Sequence, residues 1–158
     1  MAGARMQIDL DARPVLSALA ELAHRIDDPQ PAFREIGEYL DMAHRDRWDA
    51  QRAPDGTPWA PLSPVTRARK KKNADRVLVL DGYLRDTLRY QESPTELLFG
   101  TDRVYGAVHQ FGARQGAFGT TARGGPIPWG DIPARPWLGI GSEDEQPILA
   151  ILERHLMR

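Results

Sequence analysis

The sequence predicts an α+β fold: N-terminal helices, a small antiparallel β-sheet with packed helices, a long Gly/Pro-rich loop and a C-terminal helix. Three observations lead there. Apolar residues recur at three- and four-residue steps over 13–26, 31–50 and 148–156, the period of one buried helix face. Two short runs, 88–92 and 96–100, flank Ser93-Pro94-Thr95 and read as a β-hairpin. The 14 glycines and 13 prolines cluster after Pro54, which leaves the middle and C-terminal parts rich in loops.

At 158 residues the chain is expected to form one domain over 1–158, with 1–12 as an arm or short first strand and 113–132 as an extended loop. Apolar residues make up 41% and charged residues 27%, the balance of an ordinary globular protein. A net charge of −1 gives no global reason to expect nucleic acid or anionic membrane. With no cysteine there are no disulfides and no thiolate metal sites, and a cytosolic folding compartment fits. No apolar run approaches the roughly 18 residues that span a bilayer, and the first residues lack the apolar region of a secretory signal.

The first helix is expected over 13–26, with Val15, Leu16, Leu19, Leu22, Ala23 and Ile26 on one stripe, broken by Asp27-Asp28-Pro29. A second follows over 31–50, opened by Pro31. Phe33, Ile36, Leu40, Ala43 or His44, and Arg47 or Trp48 mark its inner face. His24 and His44 lack a third ligand nearby and read as structural or solvent-facing. Pro54-Asp55-Gly56 is a turn, and Trp59 between two prolines reads as an extended anchor. Ser63 is an N-cap and Pro64 the first residue of a short helix reaching about Lys72. The stretch 77–80 reads as a strand end or the lead into a helix, followed by one or two turns through Tyr83, Leu84 and Leu88. A short helix over 103–110 would place Tyr105, Val108, His109 and Phe111 on one side, stopped by Gly112. Pro133 and Pro136 oppose helix, so 132–138 should be extended. Ser142-Glu143-Asp144-Glu145 reads as a capping box opening the last helix, with Ile148, Ile151, Leu152 and His155 or Leu156 turned inward.

The residues show no enzyme signature. The chain has no Gly-x-Ser-x-Gly elbow, no phosphate-binding loop and no HExxH. His109, Asp131 and Arg135 are a catalytic set only if the fold assembles them, and no catalytic, cofactor or metal role is assigned. The composition instead suits an interaction protein, because Tyr, Trp and Arg dominate interface hot spots. The candidate contact residues are Trp59, Arg67, Arg69, Lys70, Lys71, Lys72, Tyr105, His109, Phe111, Trp129, Arg135 and Trp137. Each tryptophan reads equally well as a plug for its own core. The basic run 67–72 points either to nucleic acid or, more simply, to a solvated face or a rim against an acidic patch such as 143–145, since no aromatics interleave with it.

Four motifs in order, PDGTPWAPLSP, LVLDGYLRDTL, FGTDRVYGAVHQFGA and IPARPWLGIGSED, resemble the phage virion morphogenesis, or tail completion, family of tailed bacteriophages. The resemblance covers roughly residues 30–158. Tyr105-Gly106 stands where Tyr-Ala is commoner, and Trp137 where Phe is commoner. The resemblance implies a structural protein that completes or terminates the tail tube and joins it to the head, as a homo-oligomeric ring, commonly a hexamer. It also implies the tail tube protein and head-tail connector or neck proteins as partners, transient contact with phage DNA, no cofactor and no membrane. Its place would be the head-proximal end of the tail in the virion, reached through assembly in the host cytoplasm. The alternative is a nucleic-acid-binding module built on 67–72.

Overall fold

The computed structural model describes residues 13–157, so the expected arm 1–12 lies outside the described residues. The order is α1 (Arg13–Asp27), α2 (Gln30–Ala50), α3 (Pro64–Arg69), α4 (Tyr83–Asp86), β1 (Arg89–Glu92), β2 (Leu97–Gly100), α5 (Tyr105–Phe111) and α6 (Ser142–Met157). The α+β expectation is met.

Helix α2 is the spine. It buries Ala32, Ile36, Gly37, Leu40, His44, Arg47 and Trp48, the stripe its period predicts. One end meets α6 in a cluster of Ala32, Ile36, Leu40 and Ile151. The other reaches a larger cluster of Trp48, Ala53, Trp59, Val77, Val79, Leu84, Leu88 and Trp137. Phe99 of β2 packs against both clusters and links them. The two strands pair antiparallel, Arg89 opposite Gly100 and Glu92 opposite Leu97. Tyr90 of β1 lies so close to Gly37 that a Cβ there would collide with the ring, so a glycine in mid-helix sets the distance between α2 and the hairpin.

Several elements differ from expectation. Helix α3 ends at Arg69 rather than near Lys72 because the chain turns extended at Lys70. The Lys70 ammonium then donates to the carbonyls of Asn73, Arg76 and Val79 at 2.5, 2.6 and 2.7 Å. The stretch 77–80 is not a strand end but a run of turns that leads into α4. Side chains satisfy its backbone: Gln51 bonds both the N–H and the carbonyl of Val77, and Asn73 donates to the Leu80 carbonyl at 2.9 Å. The expected capping box is shifted by one residue. Asp144, not Glu145, reaches back, and its Oδ2 accepts the Gly141 N–H at 2.6 Å. Phe111 does not share a side with Val108 and His109, which are half-buried, because it is 79% exposed.

The loop 113–132 closes on itself as an irregular hairpin. Ala113 and Ile132 exchange backbone bonds at 2.9 and 2.7 Å, Phe118 N–H donates to the Ile127 carbonyl at 2.7 Å, and Thr121 N–H to that of Gly125 at 2.7 Å. Most of its residues are exposed.

Candidate interaction surface

The base of the 113–132 hairpin, the arm of this surface, is braced by tryptophan, arginine and glutamine side chains. Trp48, Trp59 and Trp137 form one aromatic group, with Trp48 centred 5.4 Å from Trp59 and 5.5 Å from Trp137. Trp59 donates its Nε1–H to the Pro136 carbonyl at 2.7 Å and Trp137 donates to that of Gly106 at 2.9 Å. Arg135 donates to the carbonyls of Ala60 and Pro61 at 2.7 and 3.0 Å. Gln110 accepts the N–H groups of Trp137 and Leu138 and donates to the Leu138 carbonyl. Thus α5, the extended segment 132–138 and the segment around Trp59 are sewn together where the arm leaves. Gly112 makes the join possible: its φ is 75°, and a Cβ would lie 2.8 Å from Ala134 N and the Ile132 carbonyl oxygen.

Three of the expected contact residues therefore face inward. Trp59, Trp137 and Arg135 are buried in the chain's own core and offer no surface to a partner. Burial pushes the Arg135 guanidinium below its ordinary range. His109 stands beside this brace, its ring 6.1 Å from that of Tyr105, and its buried Nδ1 has no partner. Burial, then the Arg135 charge, lowers its pKa. The set His109, Asp131 and Arg135 is not assembled, because Asp131 is turned into the arm, where it accepts the Gln115 N–H at 2.7 Å.

The basic run divides by role. Lys70 is consumed by the three carbonyls that fold 73–79 around it, and burial lowers its pKa. Lys72 pairs with Asp81 at 3.3 Å, and Arg67 donates weakly to the Ala74 carbonyl at 3.4 Å. Lys71 is exposed. Arg69 lies over the face of Trp129, 5.5 Å from the ring centre. An aromatic residue distant in sequence thus does interleave with the cations, and Trp129 keeps 63% of its surface exposed. The acidic turn 143–145 is a poor match for this face. Asp144 is buried against Arg47, and Glu143 pairs with Arg52 at 3.2 Å.

The open surface therefore includes Arg67, Arg69 and Lys71, Trp129 and Phe118 on the arm, Tyr105 and Phe111 on α5, Val104 and Ile140, and the stripe of α1. Sequence reasoning missed the bracing roles of Gln51 and Gln110, the structural role of Lys70, which was read only as part of a basic face, and the pairing of Arg47 with Asp144. Arg47 on the inner face of α2 was the one local signal for that pair. Among the described residues no group of three His, Asp or Glu is placed to hold a metal, and no helix is long and apolar enough to cross a membrane.

Residues 10–157 match the phage virion morphogenesis family. The chain is 32% identical to tail completion protein S of Escherichia phage P2 over 128 residues, covering 78% of this chain and 81% of that protein. It is 26% identical to the putative capsid assembly protein G of Escherichia phage Mu over 155 residues, covering 96% and 94%. No solved structure matches the chain.

Proposed function

The chain belongs to the phage virion morphogenesis family, and on that premise we propose that it is a structural protein that completes or terminates the phage tail tube and joins it to the head, acting as a homo-oligomeric ring, six-membered as is common in neck and tail-end proteins. The observation that carries this reading is its likeness to a tail completion protein across most of both chains. The exposed apolar side chains support it: Val15, Leu16, Leu19, Val104, Phe111, Phe118 and Trp129 each leave more than half their surface open. Exposed apolar surface rimmed by polar residues marks docking sites. Its partners in this reading are further copies of itself, the tail tube protein and head-tail connector or neck proteins. Its place is the head-proximal end of the tail, after assembly in the host cytoplasm, and its action involves no turnover.

Native mass spectrometry across concentrations, with images of the same sample, tests the ring. A closed six-fold species, alone or on purified tail tubes, is the expected result. A chain that stays monomeric and leaves tube length and head joining unchanged would overturn it.

A second reading, contact with phage DNA, is favoured by the Arg69–Trp129 stack beside Lys71. Cations that track a backbone next to an aromatic platform are the elements of single-strand binding. Because Lys70 holds the fold, the informative variant is Arg67→Glu/Arg69→Glu/Lys71→Glu. Binding at low salt that falls steeply with added salt and disappears in this variant supports the reading. No binding by the unaltered protein at low salt removes it.

A further inference from the structure

Two apolar surfaces of this chain complement one another, an exposed helix stripe and an open groove whose lining, Ile140 apart, is half-buried to buried. The first is the stripe on α1, where Val15, Leu16, Leu19 and Ile26 are each between 57% and 63% exposed and no residue of the helix is buried. The second is an open groove of about 480 Å³ whose walls include Leu97, Phe99, Leu138, Ile140 and Ile148. Its floor along α2 runs Phe33, Ile36, Leu40, His44, the same three- and four-residue steps by which the α1 stripe advances. An amphipathic helix with that spacing is the shape such a groove receives.

The charges on α1 argue for a protein partner. Arg13 and Arg25 are balanced by Glu21 and Asp27, so the helix lacks the cationic face that holds an amphipathic helix on an anionic bilayer. The groove's own α1 is held away from it. Arg25 donates to the Leu156 carbonyl at 3.0 Å, and His155 donates to the Arg25 carbonyl at 3.0 Å, which fixes the end of α1 against α6.

We propose that α1 of one copy lies in the apolar groove of the next. Each copy then gives a ridge to one neighbour and offers a groove to the other. That is a heterologous contact, the kind that repeats around a closed ring. The inference rests on the ring reading above and names the surfaces that make the ring.

The absence of cysteine makes the test clean. Leu19→Cys on one tagged chain and Ile140→Cys on a differently tagged chain are co-expressed and treated with a short bis-maleimide, in solution and on tail tubes. A mixed cross-linked pair is expected. Both positions are exposed, so neither change threatens folding. In parallel, Leu16→Glu/Leu19→Glu should return the assembled mass to that of a monomer while the circular dichroism stays unchanged. A ring-sized species that gives no mixed pair, or that survives the two glutamates, overturns the α1 contact and leaves the ring standing. Dimers of Leu19→Cys alone would place α1 against α1, and an intramolecular cross-link in a single chain carrying both Leu19→Cys and Ile140→Cys would place it on its own groove. Either result overturns the proposal. A monomer under all conditions overturns the ring reading itself, and the contact with it.

Discussion

The Arg47 guanidinium and the Asp144 carboxylate form an ion pair between α2 and the first turn of α6, with the two side chains only 5% and 1% exposed. The pair is fully bonded. Asp144 also accepts from Tyr39 OH at 2.9 Å and from the Gly141 N–H, and Arg47 also donates to the Gly139 carbonyl at 3.0 Å. Removing one partner leaves the other charge buried without compensation. Arg47→Met should therefore cost about 3–5 kcal/mol, read as a fall in the denaturation midpoint. Arg45→Met, which breaks an exposed i,i+4 pair with Asp41, should cost less than about 1 kcal/mol.

The same site sets acid sensitivity. Burial alone would raise the Asp144 pKa, but the bonds from Arg47, Gly141 and Tyr39 outweigh it and hold the group below the usual carboxylate range. A depressed folded pKa contributes stability that is complete above the unfolded value of about 3.9 and is lost as pH falls through the folded value. Asp144→Asn should thus lower stability at neutral pH and flatten its decline below about pH 4, measured by denaturant titrations at a series of pH values. On the alkaline side, burial and the Asp144 charge raise the Tyr39 hydroxyl to about 12. That contribution is complete below the unfolded tyrosine value of about 10 and fades as pH rises toward the folded value. Tyrosinate absorbance that develops late for one residue, and earlier after Asp144→Asn, is the expected signature.

Lys70 should behave unlike its neighbours. Lys70→Met leaves three carbonyls without their shared donor and should destabilise by about 1–3 kcal/mol. Lys71→Met should change stability by less than about 0.5 kcal/mol. Equal thermal shifts in the two variants would contradict the structural role given to Lys70.

The tryptophans should separate in the same way. Trp137→Ala or Trp59→Ala removes a buried ring and should cost about 3–5 kcal/mol. Trp129→Ala, at the exposed arm, should leave the melting temperature nearly unchanged while removing the partner of Arg69.

Gly37→Ala should be costly, by about 1–3 kcal/mol, because the new Cβ meets the Tyr90 ring. Adding Tyr90→Ala should recover part of the loss. A double-mutant cycle that shows no coupling would mean that the α2–hairpin contact is looser than described.

Much of the fold was legible in the sequence. Helices α1, α2 and α6, the hairpin and the stop at Gly112 all follow from period or turn chemistry, which act between residues a few positions apart. The ordered motifs located the family. The errors also share a cause. The stretch 77–80 reads as a strand end or a helix lead; it does lead into α4, but through turns whose backbone is satisfied by Gln51, Lys70 and Asn73 side chains that no period announces. The run 67–72 reads as a uniform basic face, yet its members have different fates.

By itself the sequence determined the local elements, the absence of cysteine chemistry and the likeness to a tail completion family. Only the tertiary structure decided which tryptophans are core and which is free, which lysine is structural, and that α1 keeps its apolar stripe exposed. Helix and turn signals report what a residue does to its own backbone and which face it takes. The partner of Trp59 or Arg47 lies 77 or 97 residues away, and only packing brings such groups within bonding distance.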